Sequence, residues 1–246
     1  TDAAELVEAA FSSSGGKKVV LVSHSMGAPM TYEMLLRKPL EWRRKFIERW
    51  IPIGPVFTGA PLSLYSFLAD ALLGLPGVFG QIGAISKKLG GFWFILPNMQ
   101  FKGDVVTTPE HRYDPGNTFQ LLERVGLKHA KRAIDVARDN LFSRSGYPHP
   151  GIPVTLVHST GNPTVVAMKY NSDSDVGVFA PVPVFSDDGD GMVPLQSMTY
   201  PVDLWMKNET SSKLTNKVVY PDGPSHIPII WYPDFINLVI KYSCKP

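Results

Sequence analysis

"KKVVLVSHSMGAPMTYEML", Lys17 to Leu35, decides how this chain is read. Four apolar β-formers, Val19-Val20-Leu21-Val22, run straight into Ser-His-Ser-Met-Gly and then into a segment of helical character. A serine between a buried strand and a helix, with a small residue two before it and glycine two after, has the layout of a nucleophile elbow. The turn predicts strained backbone angles at Ser25, small neighbours at Ser23 and Gly27, and a hydroxyl thrust clear of the sheet. The strict pattern has glycine where Ser23 stands, and five-residue matches also arise by chance. Context favours the elbow: the match follows a strand and opens a helix, with Pro29 where a first-turn proline is tolerated.

Outward from the elbow the chain reads as α/β. Ala3 to Phe11 predicts an amphipathic helix stopped by Gly15-Gly16, and Phe46 to Gly54 a second strand. Between Pro55 and Pro150 the βα alternation lapses into Gly-punctuated apolar pieces, a polar stretch and a helical one, Thr118 to Asn140. Such a block between strands of a parallel sheet is how a cap or lid is inserted. The sheet is predicted to resume at Pro153 to His158 and again at Lys217 to Tyr220, before a closing helix over Pro233 to Tyr242. The expected layout is core over 1–54, cap over 55–152, and core again over 153–246.

A seryl nucleophile needs a base, and the base needs a carboxylate to fix its tautomer. In the α/β-hydrolase arrangement these follow in the order Ser, acid, His, on loops after later strands. "SDDGDGMVP", Ser186 to Pro194, and "YPDGPSHIP", Tyr220 to Pro228, fall where that order requires. Asp187, Asp188 and Asp190 compete for the acid. Flanking Gly189 and Gly191, which let the backbone turn sharply, favour Asp190. The loop lacks the ligand spacing of a calcium site, so no metal is expected. Among the six histidines His226 alone lies late, after a strand and before a helix. His24 reads as an elbow filler, His111 and His149 as loop residues, His129 as part of a basic helical face, and His158 as a strand end.

Five blocks resemble the lecithin–cholesterol acyltransferase family, which includes lysosomal phospholipases A and phospholipid:diacylglycerol acyltransferases. They are "SHSMGAPMTYEMLLRKPLEWRRKFIERWIPIGPVFTGAP", "FWFILPN", "VVTTPEHRYDPGNTFQLLERVGL", "DDGDGMVPLQSM" and "PSHIPII". The resemblance implies an α/β-hydrolase, the triad Ser25, Asp190 and His226, and Met26 as the backbone donor to an oxyanion. It also implies acyl transfer from glycerophospholipids without a cofactor, with water or a lipid alcohol resolving the acyl-enzyme. The working surface would be a phospholipid membrane or lipoprotein, and the compartment secreted, lysosomal or another secretory vesicle. Phe92, Trp93, Phe94 and Leu96 are candidate acyl-chain contacts, though the same residues would serve equally as core. The family's "GDGTV" is here Gly-Asp-Gly-Met-Val, and its "GAPWGG" is replaced by "GPVFTGAP". Two other classes use much of the same sequence: a soluble esterase or neutral-lipid lipase, and a non-enzymatic binding fragment.

Composition narrows the field further. The 246 residues carry a formal charge of +2 with no basic stripe, which argues against nucleic acid. Asp70, Pro76, Lys87 and Lys88 break the apolar window Ala60 to Leu96 below the ~20 residues a membrane span needs. Cys244 is the only cysteine. Asn208-Glu209-Thr210 is a glycosylation sequon, meaningful only in a secreted or vesicular protein. The family's early strands and second oxyanion donor have no counterpart here, so Val19 to Val22 would lack a neighbour on one side. The expectation is a processed chain held through the sheet to an N-terminal companion segment of its precursor, with Cys244 free or bridged to it.

Overall fold

The computed structural model describes residues 2–70, 87–141 and 146–243; Cys244 and part of the expected cap, 71–86, lie outside them. The first elements are α1 (Ala3–Ser13), β1 (Val19–His24), α2 (Gly27–Arg37), α3 (Leu40–Phe46) and β2 (Ile47–Ile53). Then come α4 (Pro61–Leu68), α5 (Gly90–Phe94), β3 (Val106–Thr107), β4 (Arg112–Tyr113), α6 (Thr118–Arg124) and α7 (Ala130–Leu141). The remainder is β5 (Val154–Ser159), β6 (Thr164–Lys169), β7 (Val182–Ser186), α8 (Leu195–Lys207), α9 (Glu209–Ser212), β8 (Thr215–Tyr220) and α10 (Pro233–Ser243).

Among the described residues, β1, β2, β5 and β8 form a parallel sheet in that order. Because successive side chains point to opposite faces, β2 and β5 build two cores at once. Trp50, Val154 and Leu156 pack with Val7 of α1, Tyr32 and Leu35 of α2, and Val202 and Trp205 of α8. Ile51, Ile53 and Val157 pack on the other face with Ile229 and with Phe235 of α10. β5 is buried at every position. β1 is not, since among the described residues it pairs only with β2, and Val22 is 44% exposed. The architecture is that of an α/β-hydrolase-like fold.

The sequence did not foretell a second, mixed sheet in the order β4-β3-β6-β7. It joins segments from both sides of residue 153, with β3 parallel to β6 and β6 antiparallel to β7. The strands β3 and β4 are two residues each, too short for alternation to register. The helix expected over Thr118 to Asn140 is two helices. Gly126, at φ +93°, ends the first: its N–H donates to Glu123 O and the Leu127 N–H to Leu122 O, a Schellman closure. Leu127 then packs onto the same apolar cluster as Leu122.

Aromatic residues tie the turn after β2 to the entry of β5. Tyr147 donates its hydroxyl to Phe57 O at 2.9 Å, and the Trp205 indole donates to Tyr147 O at 2.7 Å. Beside them His149 accepts the Gly151 N–H on Nδ1 at 3.0 Å, so Nε2 carries the proton and donates to Thr215 Oγ1 at 3.1 Å. Burial, and then the positive charge of Arg43, push the His149 pKa down to about 4. An unfolded histidine protonates near 6.5, so acid favours the unfolded chain between those values. The stability is present above 6.5 and is lost as pH falls towards 4. The thermal midpoint is therefore expected to drop across this window, and His149→Gln, which takes up no proton, should flatten that part of the profile; an unchanged slope would remove His149 from the account.

Candidate active site

Ser25 sits at φ +56°, a left-handed conformation that costs a non-glycine residue roughly 1–3 kcal/mol. What holds it there is visible: the Ser25 N–H donates to Ile53 O at 2.9 Å, lashing the elbow to the end of β2. Ser23 stands where the elbow pattern has glycine because its hydroxyl accepts the indole N–H of Trp50 at 2.8 Å. Trp50 is fully buried, so an unpaired N–H there would cost about 1–3 kcal/mol. The expectation that Gly27 must be small is corrected. A methyl added there would meet nothing nearer than Ser23 Cβ at 4.0 Å, so strand and helix do not pinch at that position.

The structure brings the three predicted residues into line. His226 Nε2 lies 2.9 Å from Ser25 Oγ, and His226 Nδ1 lies 2.6 Å from Asp190 Oδ2. A carboxylate only accepts, so Nδ1 carries the proton and Nε2 is left to accept from the serine. Asp190 is wholly buried, yet its other oxygen accepts the N–H groups of Met192 (3.1 Å) and Val193 (2.8 Å). These bonds offset the cost of burying a charge. The His226 N–H also donates to Asp190 O at 2.7 Å, a second tie between the two loops. Asp187 and Asp188 point elsewhere and are exposed.

The acid loop is anchored to the start of the second sheet. Gly191 N–H donates to Thr164 Oγ1 at 2.8 Å and Asn162 N–H to Gly189 O at 3.2 Å. Gly189 has no room for a side chain, since an added Cβ would lie 2.3 Å from Thr164 Oγ1. This is what the excursion through β6 and β7 does for the site.

A cavity of about 420 Å³ opens at Ser25, lined mostly by apolar side chains that include Met26, Val56, Leu62, Phe92, Ile95 and Met192. Among the described residues the Met26 N–H has no hydrogen-bond acceptor, leaving a donor beside the serine. Of the four expected chain contacts only Phe92 lines the cavity. The other three do not line it: Trp93 packs on Phe67 and donates its indole to Lys87 O, Phe94 is buried, and Leu96 belongs to an apolar cluster shared with Val165 and Met168 of β6. The reason is the short helix α5, which turns these neighbours onto different faces. Ile95 lines the cavity in their place, a position apolar composition alone does not separate from theirs.

Two residues that touch Asp190 or His226 carried no readable signal of doing so. His24, read as a filler, packs its ring against that of His226, centroids 4.6 Å apart and tilted by 38°, and donates Nε2–H to His226 O at 2.8 Å. Burial, then the neighbouring His226, hold its pKa below the usual histidine value, so it stays a neutral support. Gly54, at φ +46°, presents its backbone to the acid and base: a Cβ there would lie 3.0 Å from Asp190 Oδ2 and 3.1 Å from His226 Nδ1. His158 is buried in the sheet, and His129 lies in the turn before α7 rather than on its face. Glu110, His111 and Asp173 could offer ligand atoms within 4.8 Å of one another. Asp173 already accepts from Thr108, His111 and the Glu110 N–H.

The family model described as lecithin:cholesterol acyltransferase matches residues 2–120 and 145–232. The chain is 27% identical over 225 residues to a lecithin-cholesterol acyltransferase-like 1 of Oryza sativa subsp. japonica, covering 90% of this chain and 50% of that protein. It is 27% identical over 201 residues to a lysosomal phospholipase A and acyltransferase of Canis lupus familiaris, covering 78% and 46%. Against the phosphatidylcholine-sterol acyltransferase of Homo sapiens it is 26% identical over 187 residues, covering 74% and 41%. The chain thus spans about half the length of the curated relatives it matches.

The close approach at Gly54 generates a direct expectation. Gly54→Ala should displace the Asp190 and His226 side chains by a few tenths of an ångström and lower ester turnover about 10- to 100-fold, with the circular dichroism spectrum retained. Turnover equal to the parent protein would show that the pair tolerates the intrusion.

Proposed function

Since the chain belongs to the lecithin:cholesterol acyltransferase family, we propose that it performs serine-dependent acyl transfer from glycerophospholipids. The observation that carries this reading is the Ser25–His226–Asp190 line opening into an apolar cavity. Ser25 Oγ attacks the ester carbonyl while His226 Nε2 takes its proton, and Asp190 stabilises the imidazolium so formed. The Met26 N–H, at the start of α2, donates to the developing oxyanion, a contact worth on the order of 3 kcal/mol in the transition state. The imidazolium returns its proton to the leaving lysolipid alcohol. Water or a lipid alcohol, deprotonated by the same histidine, then releases the acyl group.

The cavity walls are suited to hydrocarbon, which supports a long acyl chain over a small acetyl ester. The substrate is proposed to be met at a phospholipid membrane or lipoprotein surface; no helix among the described residues is long and apolar enough to cross a membrane. A compartment of the secretory pathway or lysosome accords with the name of the canine relative. The one-sided pairing of β1 supports a companion segment that adds strands at that edge and brings a second oxyanion donor.

A fluorophosphonate probe is expected to modify Ser25 covalently, as shown by peptide mapping, and Ser25→Ala should abolish both labelling and release of fatty acid from phosphatidylcholine liposomes. Label on another serine, or turnover surviving in Ser25→Ala, overturns the proposal. Adding a sterol or diacylglycerol and finding it acylated would identify transfer rather than hydrolysis. Separately, Asp190→Asn should lower turnover on the order of 10⁴-fold, while Asp187→Asn and Asp188→Asn stay near the parent rate. A larger loss from Asp188→Asn would reassign the acid.

A further inference from the structure

We infer that Asn208 carries an N-linked glycan, an inference that rests on the secretory or lysosomal setting proposed above. Asn208-Glu209-Thr210 is the one complete sequon in the sequence, because Asn162-Pro163-Thr164 is closed by its proline. In the fold Asn208 stands exposed between α8 and α9, and Glu209 and Thr210 are exposed with it. The side chain is oriented by its carbonyl end alone. Oδ1 accepts the N–H groups of Thr210 and Ser211, both at 3.1 Å, and the Ser211 hydroxyl at 3.0 Å. The amide nitrogen Nδ2 makes no hydrogen bond among the described residues.

That division of labour matters, because glycosylation consumes only the nitrogen end. Nδ2 attacks C1 of the N-acetylglucosamine on a polyisoprenyl-pyrophosphate oligosaccharide. The N–C1 bond forms, the C1–O bond to pyrophosphate breaks, the polyisoprenyl pyrophosphate leaves, and one amide proton is lost to base, with no change of oxidation state. Oδ1 keeps all three of its donors, so the cap of α9 survives modification. Asn208 and Thr210 also line a cavity of about 450 Å³ shared with Arg44 and His149, open space beside the sequon. Ser25 and His226 do not line that cavity.

The test uses the protein recovered from its native source. Peptide N-glycosidase in heavy-oxygen water should convert Asn208 to a labelled aspartate. In protein expressed through a secretory pathway, Thr210→Ala should abolish the glycan and Thr210→Ser should keep it. Thr210→Ala retains the backbone N–H that caps onto Asn208, so loss of the glycan cannot be ascribed to loss of fold. Fluorophosphonate labelling of Ser25 is measured on the same samples. An unmodified Asn208 in secreted or lysosomal protein whose Ser25 labels overturns the glycan and leaves the acyl-transfer reading standing. Recovery of unglycosylated protein from the cytosol overturns both the glycan and the compartment.

Discussion

Two hydrogen bonds between Asp190 and His226, one from the ring and one from the backbone, are what the site depends on. They join loops that leave different sheets and are 36 residues apart in sequence. The ring bond fixes which nitrogen is protonated, and the backbone bond fixes where the ring stands. Without the second, the imidazole would swing on a loop, and the 2.9 Å approach to Ser25 Oγ would be one geometry among many. Two backbone N–H groups share the other oxygen of the fully buried carboxylate, so neither oxygen is left without a partner.

The rest of the fold can be understood as what brings that pair to the elbow. β2 serves twice: Ile53 O accepts the Ser25 N–H and keeps the strained turn in place, and Gly54 leaves room for the acid and base to pass behind it. The second sheet earns its place through Thr164, whose hydroxyl accepts from Gly191 and so sets the acid loop. His24 completes the support, its tilted ring against that of His226 and its Nε2–H donating to His226 O from the elbow side. Each contact is made by a residue of ordinary type, through the backbone at Ile53 and Gly54 and through a side chain at Thr164 and His24.

That explains what was legible in the sequence and what was not. The nucleophile strand, the elbow and the order of serine, acid and histidine could be read because each carries a local pattern: an apolar run, a small-x-Ser-x-small turn, glycines about one aspartate. The second sheet could not, since β3 and β4 are two residues long and β3 joins β6 about 60 residues further on. Ser23 looked like a mild departure from the pattern, and only the buried Trp50 indole 27 residues on explains it. Which of Phe92, Trp93, Phe94 and Leu96 would face the cavity was not legible for a related reason. Pocket wall and core make the same demand on composition, and the direction each side chain takes depends on where a five-residue helix begins.

The central claim is that this chain alone assembles the charge line from Asp190 through His226 to Ser25. It is tested most directly by nitrogen-15 and proton NMR of His226 in the resting protein. The account predicts a protonated Nδ1 with a strongly downfield proton, lost in Asp190→Asn, and an unprotonated Nε2. An Nε2–H tautomer, or a downfield proton that survives Asp190→Asn, would contradict it.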